Sequence, residues 1–389
     1  MKEYIVTKNI LNIRSSASDE SDDNFIGQLT AGETLYLTDD EIIGVTPKGG
    51  TTNIWKTDNL NRLVSLDGVR LKNYNDKKAE FVADTSLAYL HNNSQNEAQW
   101  KVSWGFVDLE VWKIWKMYNT QGSGVKVAVV DTGVMSASND LKNRISNKSV
   151  SVVGNTIDDM SPTNHGTMSA GVIGANGATT STVFGIAPQC ELIIVKAGNN
   201  GFYPTDILSG ATKAKELGAN IISMSIECYN PIPGMDTFLE GCKNSGVIFL
   251  AAVGDMSATI DSNPASYDGC FSVGAYNLDA NKNRIINPQN NTSKFLKCLC
   301  PGDHTLTCSK SPQPAFHNAS SSSTAFMAGI MALVFAVAKK NVIAFQILLN
   351  ALQSNSCTES IPGNNISQSV QGYGVLTPLQ LITYLNSNT

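Results

Sequence analysis

The stretch that decides the fold is "VKVAVVDTGV", Val125–Val134. Five of its first six residues are apolar, and most of those are β-branched. An apolar run without polar alternation reads as a strand buried on both faces, as in parallel sheets covered by helices. The run ends at once in Asp131 and a turn at Gly133. In open α/β sheets, ligands gather beyond the carboxyl ends of the strands. Asp131 therefore stands where chemistry is expected.

Further along, "ELIIVKA", "NIISMS", "VIFLAA" and "FSVGA" read as more buried strands. Between the first two lies "TDILSGATKAKELG", a helix with Thr205 or Asp206 near its N-cap and Gly218 at its end. The alternation predicts an α/β domain over residues 99–389, a doubly wound parallel sheet covered on both faces. Residues 75–98 are polar and weakly patterned, a linker with one short helix expected over Ala79–Leu90. Residues 1–74 are different in kind. "EYIVT", "NFIGQL", "ETLYLT", "IIGVT", "NIWKT" and "RLVSL" are short β-rich runs separated by Gly, Asp, Asn and Pro, as in a small all-β barrel or sandwich. "LNIRSSASDESDDNFIGQLTAGETLYL" resembles the opening of bacterial SH3-like (SH3b) domains, and "IWKTDNLNRLVSLDGVRL" resembles their closing strands. The resemblance implies an SH3-like β-barrel over 1–74, with a protein or cell-wall peptide as its ligand. The residues alone fit any small all-β domain.

The whole chain has 389 residues, 42% hydrophobic and 16% charged, with net charge −5. That suits two globular domains. Residues 1–74 hold 8 basic and 11 acidic side chains, so no basic arm marks a nucleic-acid or membrane partner. Lys8, Asn9 and Arg14 interrupt the N-terminus where a signal core would lie. The apolar stretch Ala325–Ala338 is shorter than the about 20 residues a bilayer needs, and reads as a buried helix. All eight cysteines fall between Cys190 and Cys357 without a disulfide framework, so buried free thiols are expected. Cys298, Cys300 and Cys308 lack zinc-site spacing. A cytoplasmic chain follows as an expectation.

Two more stretches carry chemistry. "NHGTMSAGVIGA" places His165 at the start of a small-residue helix. "HNASSSSTAFMAG", His317–Gly329, holds four consecutive serines before an apolar helix. Taken singly, Asp131 is a turn residue, His165 a helix opener and the serines a linker or cap. Taken together, they lie at the ends of adjacent elements in one α/β layer. The remaining histidines, 91, 304 and 317, read as linker (91) and surface-loop (304, 317) residues.

Here the sequence resembles the subtilisin-like serine peptidases, or subtilases, over roughly residues 100–387. "VAVVDTGV" resembles their Asp motif and "HGTMSAGVIGA" their His motif. "GIAPQCELIIVKA", "NPASYDGCFSVGA" and "CPGDHTL" resemble the segments around them. The family's nucleophile pattern is G-T-S-x-A-x-P-x-x-A-G. Setting its last two places on Ala328 and Gly329 puts Ser321 at the nucleophile and Ser320 at the Thr place, where a hydroxyl supports the oxyanion. The resemblance implies a serine endopeptidase acting on proteins or peptides without a cofactor. Ser321 attacks, His165 acts as base, and Asp131 orients the imidazole. It also assigns Asp255 and Ser321 to the oxyanion hole. Ser225, Ile226, Glu227, Cys228, Ala252 and Gly254 take the substrate-binding places.

Several positions depart from the family. "LAAVGDMS" puts Asp255 where an Asn side chain normally donates to the oxyanion, and an ionised carboxylate cannot donate. Losing one such donor costs about 10²–10³ in kcat. Some prohormone convertases carry Asp there. "SIEC" replaces S-x-G-G, so Glu227 and Cys228 add bulk. Glu227 either favours a basic substrate side chain or points to solvent. Ala319 and Ala325 replace Gly and Pro. Asp140 matches a place that often binds calcium, but one carboxylate is not a site. The departures keep a second expectation open, a pseudopeptidase that binds peptides without cleaving them.

Overall fold

The computed structural model describes residues 102–388 except 178–182, 200, 312–313, 339–342 and 364–365. Within 1–101 it describes the backbone of nine strands. The chain divides into two compact units, residues 1–85 and 86–389. In the first, Lys2–Val6, Ile10–Arg14, Phe25–Thr30, Thr34–Ile43, Ile54–Asp58, Leu63–Ser65 and Val69–Leu71 form one seven-stranded sheet. Its pairings are antiparallel, in the order third, second, sixth, fifth, fourth, first, seventh. His91 and most of the helix expected over Ala79–Leu90 lie outside the described residues. The last three residues of that span, Ala88–Leu90, form a strand instead.

The second unit is built on the five expected apolar strands and a sixth, Leu296–Pro301, that the sequence reading did not single out. They are β1 (Lys126–Asp131), β2 (Glu191–Lys196), β3 (Ile221–Met224), β4 (Ile248–Ala252), β5 (Phe271–Leu278) and β6 (Leu296–Pro301). They lie parallel in the order β2-β1-β3-β4-β5-β6. The direction of winding reverses at β1, which places Asp131 beside the topological switch point. Side chains alternate between the two faces. Val127 and Val129 join one buried cluster, Ala128 and Val130 the other.

Helices α1 (His165–Gly174) and α4 (Ala319–Ala338) supply the first cluster. Helices α2 (Pro204–Glu216) and α3 (Met235–Ser245) supply the second. Helix α2 begins at Pro204 with Tyr203 as N-cap, so Thr205 and Asp206 lie inside its first turn rather than at the cap. Its Asp206 there complements the helix dipole. Helix α4 is longer than the apolar stretch suggested, at 20 residues. That matches a bilayer span in length, yet Phe326, Met327, Ile330 and Leu333 are all 0% exposed within the core. Each such side chain stabilises the fold by about 1.5–3 kcal/mol through burial. All eight cysteines are free and buried.

Candidate active site

The site forms where β1, α1 and α4 end on the same side of the sheet. Asp131 closes β1 and is 1% exposed. Its Oδ1 accepts from His165 Nδ1 at 2.8 Å and from the Thr132 N–H at 2.7 Å. Its Oδ2 lies 3.1 Å from the same Nδ1 and accepts from Ser169 Oγ at 3.2 Å. His165 is the first residue of α1, and the close fit there depends on Gly166. A methyl group at 166 would lie 2.2 Å from the Gly133 carbonyl oxygen.

Burial lowers the proton affinity of His165, but the carboxylates of Asp131, Asp159 and Asp255 outweigh it, and the net effect is a raised pKa. Asp159 was not legible in the sequence. It is buried, and it accepts from Thr132 Oγ1, Thr167 Oγ1 and the Thr167 N–H.

The four serines have different fates. Ser320, Ser322 and Ser323 are each 0% exposed. Ser323 Oγ donates to backbone carbonyls, and Ser322 Oγ is buried without a partner. Ser321 is partly exposed and lines a cavity of about 230 Å³ together with His165. Its Oγ donates to the Ser225 carbonyl at 3.2 Å, while Ser225 Oγ donates to the Ser321 carbonyl at 2.7 Å.

The start of α4 leaves its first N–H groups without helical partners. The Ala319 N–H donates to Asp303 Oδ1, Ser320 N–H to Asp255 Oδ1, and Ser322 N–H to the Asn318 carbonyl. Among the described residues, none accepts from the Ser321 N–H. This donor belongs to a cavity-lining residue at a helix N-terminus, a favourable place for negative charge. Ala319 takes the left-handed region, φ 59°, which explains why the family has glycine here.

Asp255 lines the same cavity. Burial pushes its carboxyl up to about 6; the N–H and hydroxyl of Ser320 pull it back, and Glu227 and Asp303 add to the rise. Ser320 thus serves Asp255 rather than open space. Its Oγ also accepts from the Gly254 N–H. Gly254 has φ +99°, and a methyl group there would lie 2.5 Å from Glu227 Oε2.

Ser225, Ile226, Glu227, Ala252 and Gly254 all line the cavity. Cys228 does not. Beyond the end of β3, Cys228 packs into the second core cluster and pairs with Asn263 through backbone bonds. Glu227 is exposed, but it does not simply point to solvent. Its Oε2 accepts from the Asp255 N–H at 3.1 Å and from Tyr229 Oη at 2.9 Å.

His317 is a correction. It is not a surface-loop residue but 3% exposed. It ends a strand, Ala315–His317, that pairs with Thr305–Thr307, and its ring packs against His165. His304 is exposed, as expected. The calcium expectation finds little to rest on. Asn176 leaves a buried Oδ1 unpartnered, and its N–H donates to the Asp140 carbonyl. Calcium needs six or more oxygens. Among the described residues, no group of three His, Cys, Asp or Glu side chains converges.

Comparison with known proteins bears on this arrangement. Residues 122–374 match the subtilase family model, peptidase S8. Subtilisin DY of Bacillus licheniformis is 30% identical over 226 residues, which is 55% of this chain and 77% of that protein. The intracellular serine protease of Paenibacillus polymyxa is 29% identical over 272 residues, 66% of this chain and 80% of that one. The thermophilic serine proteinase of Bacillus sp. strain AK1 is 27% identical, and the match spans 57% of this chain and 55% of that protein's length. In fold, the chain resembles the prenylagaramide maturation protease PagA, with TM-score 0.59 and 24% identity over 72% of this chain and 99% of that one. The family match covers most of the second unit, including Asp131, His165 and Ser321. The chain belongs to the subtilase family of serine peptidases.

Proposed function

We propose that the chain hydrolyses peptide bonds in proteins or peptides by acyl transfer, with Ser321 as nucleophile, His165 as general base and Asp131 as its orienting carboxylate. One observation carries this reading. Of four consecutive serines, the partly exposed one opens onto the same cavity as a histidine whose Nδ1 is held by a buried aspartate. Ser321 Oγ turns from the Ser225 carbonyl toward His165, a side-chain rotation of the ps–ns kind. It attacks the substrate carbonyl carbon while His165 Nε2 takes its proton. The tetrahedral oxyanion accepts from the Ser321 N–H and, when Asp255 is protonated, from that carboxyl as well. The C–N bond then breaks as His165 gives its proton to the leaving amine. Water repeats the sequence on the acyl-enzyme.

For both oxyanion donors to act with a neutral base, two protonation states must coincide. Asp255 donates only below about pH 6, and His165 accepts only above its raised pKa. The competent form is then a minority at every pH, and the rate follows a narrow bell.

The cavity wall supports a substrate class too. Glu227 and Asp255 line it without a lysine or arginine beside them. Glu227 Oε2 is held by two donors, so the carboxylate is fixed in place to receive a lysine or arginine side chain. The N-terminal sheet is read as an SH3-like domain for a protein or cell-wall peptide, supported by its sequence pattern and antiparallel pairing. Eight free buried thiols support a reducing compartment, and the Paenibacillus polymyxa relative is intracellular by name.

The test is labelling of the full-length chain with a fluorophosphonate, with Ser321→Ala as control and mass spectrometry to place the adduct. An adduct on Ser321 that vanishes in the control is the expected result. No adduct on folded protein across the neutral pH range would favour a peptide-binding module instead.

A further inference from the structure

A second histidine stands behind His165, and the reaction as written does not use it. His317 is buried, and its ring meets that of His165 edge-on, with centroids 5.1 Å apart and planes at 86°. Its Nε2 lies 3.1 Å from Ser169 Oγ. Ser169, one turn beyond His165 on α1, is 0% exposed, and its Oγ lies 3.2 Å from Asp131 Oδ2. Asp131, Ser169 and His317 therefore form one buried chain of contacts.

Counting protons fixes its direction. A serine hydroxyl has one proton, and an ionised carboxylate only accepts. Ser169 must donate to Asp131, so its oxygen must accept from His317. His317 then carries its proton on Nε2. Burial holds His317 well below the usual histidine range, and neighbouring His165 pushes it lower, which keeps the ring neutral. A neutral donor suits this place. A cation there would compete with His165 for the charge of Asp131 and oppose the imidazolium formed during turnover.

The other donors to Asp131 are all local to the reaction. Thr132 N–H and His165 Nδ1 share Oδ1, and among the described residues Oδ2 has only Ser169 besides its longer contact with His165. Without Ser169, the carboxylate can rotate about its Cβ–Cγ bond. Without His317, Ser169 loses the donor that turns its proton toward Asp131, and His165 loses the wall beside its ring.

We infer that Ser169 and His317 are positioning residues that lock the Asp131 carboxylate and the His165 ring for acyl transfer. The inference rests on the roles proposed above for Asp131, His165 and Ser321. Neither residue touches substrate.

Three variants of the full-length chain test it: Ser169→Ala, His317→Phe and His317→Gln. Glutamine can present an amide N–H to Ser169; phenylalanine fills the space without a donor. Two quantities are read. One is the fluorophosphonate labelling of Ser321, as its maximal rate and half-saturating concentration. The other is the low-field proton NMR signal of His165 Nδ1–H. Ser169→Ala and His317→Phe should each lower the maximal rate about tenfold, the worth of one hydrogen bond, with half-saturation unchanged. The two combined should be no worse than either alone. Both should broaden the low-field signal, and His317→Gln should recover most of the rate and the signal. An unchanged rate and signal in Ser169→Ala would overturn the inference. So would a loss in His317→Gln equal to that in His317→Phe, because that is packing alone. The NMR signal needs no turnover. If the wild-type chain labels nothing, the signal still decides this point separately from the acyl-transfer reading.

Discussion

The two ends of the cleft are built on opposite plans. At the base end, a buried carboxylate accepts from an imidazole, a backbone N–H and a hydroxyl, and the groups around it are partnered in turn. At the oxyanion end, two carboxylates, Asp255 and Glu227, occupy places where the family has an amide and a glycine. Their partners are the backbone of α4 and one another's loop. The base end is assembled before substrate arrives. The oxyanion end gains its side-chain donor only when Asp255 holds a proton. On the mechanism proposed above, the rate is set less by the strength of the base than by the protonation of Asp255.

The largest expected effect breaks the assembled end. Asp131→Asn keeps the shape but favours the wrong imidazole tautomer, and should lower kcat by about 10⁴. A peptide-hydrolysis assay on the folded variant checks it, and a loss under tenfold would contradict the plan.

The next effect has the opposite sign. Asp255→Asn supplies a permanent donor and should raise kcat/KM at pH 8 by about 10². The narrow bell should become a rise to an alkaline plateau. Stability gives an independent check. The folded pKa of Asp255 is raised, so its stabilising contribution is present below about pH 4 and lost as pH rises through about 6. Asp255→Asn should therefore raise Tm more at pH 8 than at pH 4.

A smaller effect sharpens the contrast at the same wall. Glu227→Gln should raise KM for peptides with lysine or arginine at the cleaved bond about tenfold, and leave KM for leucine peptides unchanged. Equal changes for both would remove the specificity role. The smallest effect lies at the entrance to α4. Ala319→Gly relieves the left-handed backbone and should stabilise the fold by about 1 kcal/mol in a denaturant titration.

The sequence revealed the assembled end more fully than the other. Asp131 follows an unbroken apolar strand, and that pattern alone puts it at a sheet terminus. Ser321 was separable from its neighbours only through the family resemblance, whose closing Ala-Gly falls on Ala328 and Gly329. In the structure the other three serines are 0% exposed, and Ser321 alone of the four is partly open. Other residues have no local signal. Asp159 and Ser169 sit among polar neighbours and gain meaning only from contacts 27 and 38 residues away. His317 looks like a loop residue because its burial comes from a hairpin partner and from α1. The direction of Glu227 depended on Tyr229 and Asp255, and Cys228, expected among the substrate-binding residues, joins the second core cluster instead.

Helix α4 carries one more consequence. It is a single rod of 20 residues, about 30 Å long, with Ser321 near one end and Phe335 near the other. A tilt of about 2° pivoted at the far end moves the near end by about 1 Å. Displacement of that size at a reacting atom costs about 10² in rate. The side chains that seat Phe335 are thus a distant trim on turnover. A substitution there that leaves melting unchanged can still detune the enzyme.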